Sequence, residues 1–234
     1  MTSLYLHLPF CKQKCNYCDF VSHTGKEDLI DEYVDKIIDK IHHLTFDISH
    51  LSLKTIFFGG GTPTLLEPKH FDKILATLSL WEREDGSCQR VRDIEISVES
   101  NPGTADKTKL KELRRLGINR LSIGVQSFNN THLKTLGRIH TAEEAIKFYE
   151  NARAAGFENL NLDLMYALPD QTLEEFKTDL QTALNLKPEH LSVYNLQIEE
   201  GTPLWHSKVS GGEGPSLPSE ETERIEIKAL EASI

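Results

Sequence analysis

Three cysteines within eight residues, Cys11, Cys15 and Cys18, stand in the string HLPFCKQKCNYCDF with the spacing CxxxCxxC. Thiolates are soft ligands, so such a cluster points to zinc, copper(I) or an iron–sulfur cluster. Structural zinc asks for four closed ligands, usually from two knuckles. Here the second knuckle is missing, and His23 or Cys88 would have to complete the site. Three ligands on one short loop suit a 4Fe–4S cluster better, because they hold three corners and leave one iron open to a small molecule. Lys12 and Lys14 lie between the ligands and would offset cluster charge. Tyr17 and Phe20 would shield it from water, which bears on its potential.

The elements that must carry this loop alternate. Strands are expected at residues 4–8, 54–58, 93–99, 119–124, 160–164 and 190–196. Helices are expected at 28–44, 69–80, 106–116, 131–136, 142–155 and 173–185. The helical reading rests on spacing such as Leu29, Ile30, Tyr33, Val34, Ile37, Ile38 and Ile41. Six β–α units of this kind mean parallel strands joined by crossover helices, closed as a barrel or open as a doubly wound sheet. Residues 1–200 form this core. Residues 201–219, rich in Gly, Pro and Ser, read as a linker. Residues 220–234 read as the start of a second, truncated domain, with a polar helix at 220–230.

Unusual residues gather at the ends of the expected strands. The cysteines follow the first strand, and Gly59, Gly60 and Gly61 follow the second. Glu99 ends the third, Gln126 lies just past the fourth, Asp163 lies in the fifth and Gln197 follows the sixth. Parallel α/β folds build their sites at these ends. Each position also has a plain reading. GGGTPT serves equally as a tight turn, and neither a P-loop nor a GxGxxG fingerprint is present. Glu99 precedes a turn and could be solvated. Asp163 is more informative, because a carboxylate in the apolar run NLNLDLMYALP needs a partner if buried. His7 shares a strand face with Tyr5, and Cys88 reads as an ordinary thiol.

Composition narrows the class. The chain has 234 residues, 38% hydrophobic, with a net charge of −10. That is enough for a sizeable core, and the acidic balance argues against nucleic-acid or anionic-membrane partners. No apolar run approaches the ~20 residues of a membrane span, and no secretion signal or transit peptide is evident. The cysteine pattern is unlike a disulfide framework. A cytoplasmic protein is expected, meeting membranes only through a partner.

The aromatic residue before the third cysteine makes CxxxCxxC resemble the radical SAM superfamily. YLHLPFC, GGGTPT, SVESNPGT, LSIGVQSF, LGRIH and LSVYNLQIEEGTPL, in that order over about residues 3–205, resemble the oxygen-independent coproporphyrinogen III oxidase group. The resemblance implies a partial (β/α)6 barrel, a 4Fe–4S cluster on Cys11, Cys15 and Cys18, and S-adenosylmethionine chelated at the open iron. Its reductive cleavage gives a 5′-deoxyadenosyl radical in this group, with an electron donor such as a flavodoxin-like protein. Tyr5, Gly60, Gly61, Thr62, Glu99, Gln126, Arg138, Asp163 and Gln197 match positions that contact S-adenosylmethionine, and Tyr17 matches the aromatic before the third cysteine. The oxidases carry CxxxCxxCxC and an N-terminal extension. This chain has Phe20 in place of the extra cysteine. That departure implies the haem chaperone branch, which binds haem and passes it to haem-dependent proteins. Porphyrinogen decarboxylation and a bare cluster-binding remnant are the alternatives. Family members continue into a C-terminal domain with an HNxxYW-type motif, absent from this sequence.

Overall fold

A computed structural model describes residues 2–48, 53–79 and 94–209. Its sheet has six parallel strands: β1 (Thr2–Leu8), β4 (Leu53–Gly60), β5 (Glu95–Ser100), β6 (Arg120–Gln126), β7 (Asn159–Tyr166) and β8 (His190–Asn195). They lie in the order β1-β4-β5-β6-β7-β8, so each new strand of the sheet is added beside the last. Right-handed crossovers then put the helices that join successive strands on the same face. A doubly wound sheet reverses its order at a switch point, and this order has no reversal. The fold is a partial barrel of the TIM type.

The strands have two chemically distinct faces. Leu6, Leu8, Ile56, Phe58, Ile96, Val98, Leu121, Ile123, Leu160 and Leu162 are all buried in one aliphatic core beneath the helices. Each such side chain stabilises the fold by about 1.5–3 kcal/mol. The helices present matching stripes. From α1 (Ile30–Ile48) come Ile30, Val34 and Ile41; from α2 (Pro68–Ser79) come Phe71, Ile74, Leu75 and Leu78; from α3 (Lys107–Arg115) come Leu110 and Leu113. Their starts are set locally. Asp106 accepts from the Lys109 amide at 2.7 Å to cap α3. Thr141 with Glu144 and Thr172 with Glu175 form capping boxes on α5 (Ala142–Ala154) and α6 (Leu173–Leu186). The short α4 (Asn130–Thr135) is capped by Asn129.

The opposite face is polar. Register places Tyr5, Phe57, Ser97, Arg120 and Asn159 in one row across the sheet. Glu99, Ser122, Asn161 and His190 form the next, and Gly124, Asp163 and Ser192 the one after. A closed eight-stranded barrel fills its interior with branched aliphatic side chains; this one keeps a polar interior.

Several boundaries differ from expectation. A 3-10 turn at Glu27–Leu29 precedes α1. Two-residue strands β2 (Phe10–Cys11) and β3 (His23–Thr24) pair to close the base of the cysteine loop. The expected linker begins instead with α7 (Pro203–Val209), on which Leu204 is buried in a second core with Leu136, Met165, Leu168 and Leu196. Cys88, the rest of that linker and the expected helix at 220–230 lie outside the described residues. Among the described residues, no helix is long and apolar enough to cross a membrane.

Candidate cluster and cofactor site

The cysteine loop leaves β1 at the C-terminal end of the sheet and is tied down from three sides. The Asn16 amide donates to the Leu136 carbonyl at 2.9 Å, and Asn16 Nδ2 to the Thr135 carbonyl at 2.9 Å. Gln13 Nε2 donates to the Gly137 carbonyl, and the Leu204 amide to the Asn16 carbonyl at 3.0 Å. Tyr17 packs on the second core from behind the loop. Cys11 is buried, and Cys15 and Cys18 are half-buried. All three face one cavity of about 440 Å³. Burial raises the Cys18 thiol above its ordinary value.

The glycine loop closes on the cysteine loop at backbone distance. The Gly61 amide donates to the Leu8 carbonyl at 2.9 Å and the Thr62 amide to the Phe10 carbonyl at 2.7 Å. A Cβ on Gly61 would lie 2.6 Å from the Phe10 carbonyl oxygen and 3.0 Å from Cys11 Sγ. Gly60 has φ +115°, which a side chain rarely tolerates. Its amide donates to Glu99 Oε2 at 3.0 Å. Thr62 Oγ1 sits 3.7 Å from Cys11 Sγ and accepts from Asn101 Nδ2 at 2.9 Å.

Arg138 comes from the turn after α4. Its Nη1 lies 3.4 Å from Cys15 Sγ, and its Nη2 donates to Asn101 Oδ1 and to the Gly124 carbonyl. Its Nε is buried and has no hydrogen-bond partner among the described residues. Facing it across the cavity are two carboxylates, Glu99 and Asp163. Burial raises both above the usual carboxylate range, opposed at Glu99 by the Gly60 amide and at Asp163 by Asn161, Ser122 and Ser192. Ser122 Oγ donates to Asp163 at 3.2 Å and Asn161 Nδ2 at 2.6 Å, so the carboxylate's orientation is preset. Gln126, in the left-handed region at φ +71°, accepts from Tyr194 O–H at 2.7 Å. Burial pushes the Tyr194 phenol well above its usual value.

The cavity therefore gathers Cys11, Cys15, Cys18, Tyr17, Gly60, Gly61, Thr62, Glu99, Gln126, Arg138 and Asp163. Two expected residues stand apart. Tyr5, on the edge strand and 55% exposed, stacks on Phe57 at the rim, outside the cavity wall. Gln197 is exposed beyond the end of β8. There the Leu196 amide bonds to the Tyr166 carbonyl and its side chain turns into the second core, which directs Gln197 to the surface. Phe20, expected to shield the cysteines, is 70% exposed at the cavity mouth. Asn101, Ser122, Asn161, Ser192 and Tyr194 line the cavity without having been expected. The period-two polar residues in RLSIGVQ and NLNLD carried a signal for the strand-borne members.

The donor set fits an iron–sulfur cluster with an anionic, polar cofactor beside it. Among the described residues no three His, Cys, Asp or Glu side chains converge to hold a single ion. The three thiols instead line one cavity wall, as a cluster with one thiolate per iron requires. The Arg138 guanidinium, which lines the cavity, suits a carboxylate, and the two acids suit hydroxyls or an ammonium.

Such a cavity at the strand ends of a partial barrel defines a class of cluster-dependent proteins, and sequence comparison names it. The radical SAM superfamily model matches residues 5–183, and the chain belongs to that superfamily. Membership implies a 4Fe–4S cluster and S-adenosylmethionine. The chain is 42% identical over 223 residues to "Heme chaperone HemW" of Escherichia coli (strain K12), covering 94% of this chain and 55% of the relative. It is 37% identical to "Heme chaperone HemW" of Bacillus subtilis (strain 168), covering 97% and 59%. Coproporphyrinogen III oxidase (HemN) from Escherichia coli, a radical SAM enzyme, superposes with a TM-score of 0.84 at 30% identity, over 98% of this chain and 51% of that one. The chain thus spans little more than half the length of these relatives.

Proposed function

We propose that this chain is the radical SAM core of a haem chaperone-like protein. In this reading Cys11, Cys15 and Cys18 hold the 4Fe–4S cluster, and S-adenosylmethionine lies in the adjoining cavity. The observation that carries the reading is the convergence of three thiols, the Arg138 guanidinium and two carboxylates on one cavity. Gly60 and Gly61 admit the cofactor's backbone-close approach. Arg138 takes its carboxylate, Glu99 and Asp163 accept from its ribose hydroxyls or ammonium, and Gln126 and Thr62 orient it. Tyr17 backs the cluster loop. Tyr5 and Gln197 lie outside the cavity lining. When bound, the cluster and its cofactor supply the electron-transfer and radical chemistry, which the protein orients.

Haem transfer to a haem-dependent acceptor rests on the two relatives named as haem chaperones and on Phe20 standing where the resembling oxidases carry a fourth cysteine. An electron donor and residence in the cytoplasm belong to the same proposal. The second reading, radical decarboxylation of a porphyrinogen, is favoured by the close superposition on HemN. One set of measurements separates them. Anaerobically reconstituted protein is assayed for iron, for S-adenosylmethionine binding, for saturable haem binding, and for turnover of coproporphyrinogen III with reductant. Zinc without iron would overturn the cluster. Conversion to protoporphyrinogen IX would favour the second reading.

A further inference from the structure

Asp179 on α6 is 2% exposed and lies outside the cavity. A buried carboxylate is costly, and a position that only packed would be better served by an apolar side chain. Burial raises its pKa, and two hydrogen bonds oppose that rise. Asp179 Oδ2 accepts from Ser127 O–H at 2.6 Å and Oδ1 from the Phe128 amide at 2.7 Å. Both donors belong to the turn directly after Gln126.

That turn is unusual. A register shift between Gly124 and Gln126 places Gln126 opposite Leu164, an aliphatic core position. Gln126 lines the cavity with Arg120, Ser122 and Gly124 on its own strand, and it holds a φ of +71°. A non-glycine residue keeps such a conformation only when its surroundings over-determine it. Tyr194 holds the Gln126 side chain, and the turn after Gln126 is held by Asp179 and by Glu175 one helical turn earlier, whose Oε1 accepts from Asn129 Nδ2 at 3.1 Å. Asn129 in turn starts α4, at whose far end Leu136 accepts from the cysteine loop and Arg138 emerges. The turn that Asp179 anchors therefore directly follows one cavity side chain, Gln126.

We propose that Asp179 is a positioning residue for S-adenosylmethionine binding, acting through Gln126 by clamping the turn that holds its strained backbone. This rests on the reading of the cavity as the cofactor site. Both donors need acceptors, so a carboxylate serves them together. An amide could accept from Phe128 but would present N–H to Ser127 Oγ, leaving the Ser127 hydroxyl proton without the acceptor that Asp179 Oδ2 supplies. Asn is thus a partial substitute.

The test uses cluster-reconstituted chain and titrates S-adenosylmethionine, read by calorimetry and by the change it causes in the spectrum of the reduced cluster. Asp179→Ala is expected to weaken binding at least tenfold, about 1.4 kcal/mol, at unchanged iron content. Asp179→Asn and Ser127→Ala lie between it and wild type, and they serve if the alanine variant folds poorly. In a Gln126→Ala background, Asp179→Ala should add little, since both act through one contact. Leu180→Ala, buried on the same helix, should lower the melting temperature without a tenfold loss of binding. Wild-type-like binding by all three clamp variants, or effects that add fully with Gln126→Ala, would overturn the proposal. Failure of the wild type to bind S-adenosylmethionine would overturn the parent reading and this one with it.

Discussion

Replacing Gly61 with alanine tests whether the glycine loop and the cysteine loop form one unit. The new Cβ would stand 2.6 Å from the Phe10 carbonyl oxygen and 2.9 Å from the Phe10 nitrogen. Both are backbone atoms, so neither can swing away as a side-chain tip could. Ordinary contact would require the two loops to part by several tenths of an ångström. Overpacking of this kind costs about 1–3 kcal/mol. Parting also stretches the bonds from the Gly61 and Thr62 amides to Leu8 and Phe10, each with a net worth of about 0.5–1.5 kcal/mol. A total near 2–6 kcal/mol corresponds to a melting temperature lower by roughly 5–20 °C. Because the displaced strand end carries Cys11, iron incorporation should fall as well. Gly103→Ala is the control, since its Cβ meets nothing within 4 Å and only its φ of +87° is penalised, by about 1–2 kcal/mol. Thermal melts and iron assays on the two variants separate steric contact from backbone strain. If Gly61→Ala loads iron like wild type and melts no lower than Gly103→Ala, the coupling argued here is wrong.

Three further outcomes follow from the site. Cys15→Ala should abolish the iron–sulfur absorbance after anaerobic reconstitution while the circular dichroism of the barrel persists; full iron content in the variant would remove Cys15 from the ligand set. Burial raises Glu99 and Asp163, so the folded apo protein holds protons there more tightly than the unfolded chain, and its stability falls as pH rises from the ordinary carboxylate range through the raised folded values. Cofactor binding that needs the ionised acids should strengthen as pH rises above the ordinary carboxylate range; a pH titration of binding should show this rise, and Asp163→Asn should flatten it. Leu204→Ala removes a buried anchor of the second core, a change that typically costs about 2–5 kcal/mol. Amide exchange at residues 13–18 should accelerate more than in the β-sheet, and uniform acceleration would count against α7 as the loop's support.

The alternation of six strands and their helices was legible because each element is locally encoded, by apolar period, by the Thr–Glu capping boxes and by glycines after helices. So were the three cysteines and the glycine run, whose meaning lies in residue type and short spacing. The sequence on its own thus determined the β–α repeat, the metal-binding loop and its place at a strand end. Strand order required the tertiary structure, since pairing joins segments far apart in the chain, and only that order separates a barrel from a doubly wound sheet. The same holds within the site. Asn101 bridges Thr62 and Arg138, which lie 39 and 37 residues from it, and Tyr194 reaches Gln126 across 68. Gln197 shows the converse: its position just past a strand suggested the cavity, but the burial of its neighbour Leu196 turned it to solvent. Local propensity places a residue at a strand end; the packing of the next element decides which way its side chain faces.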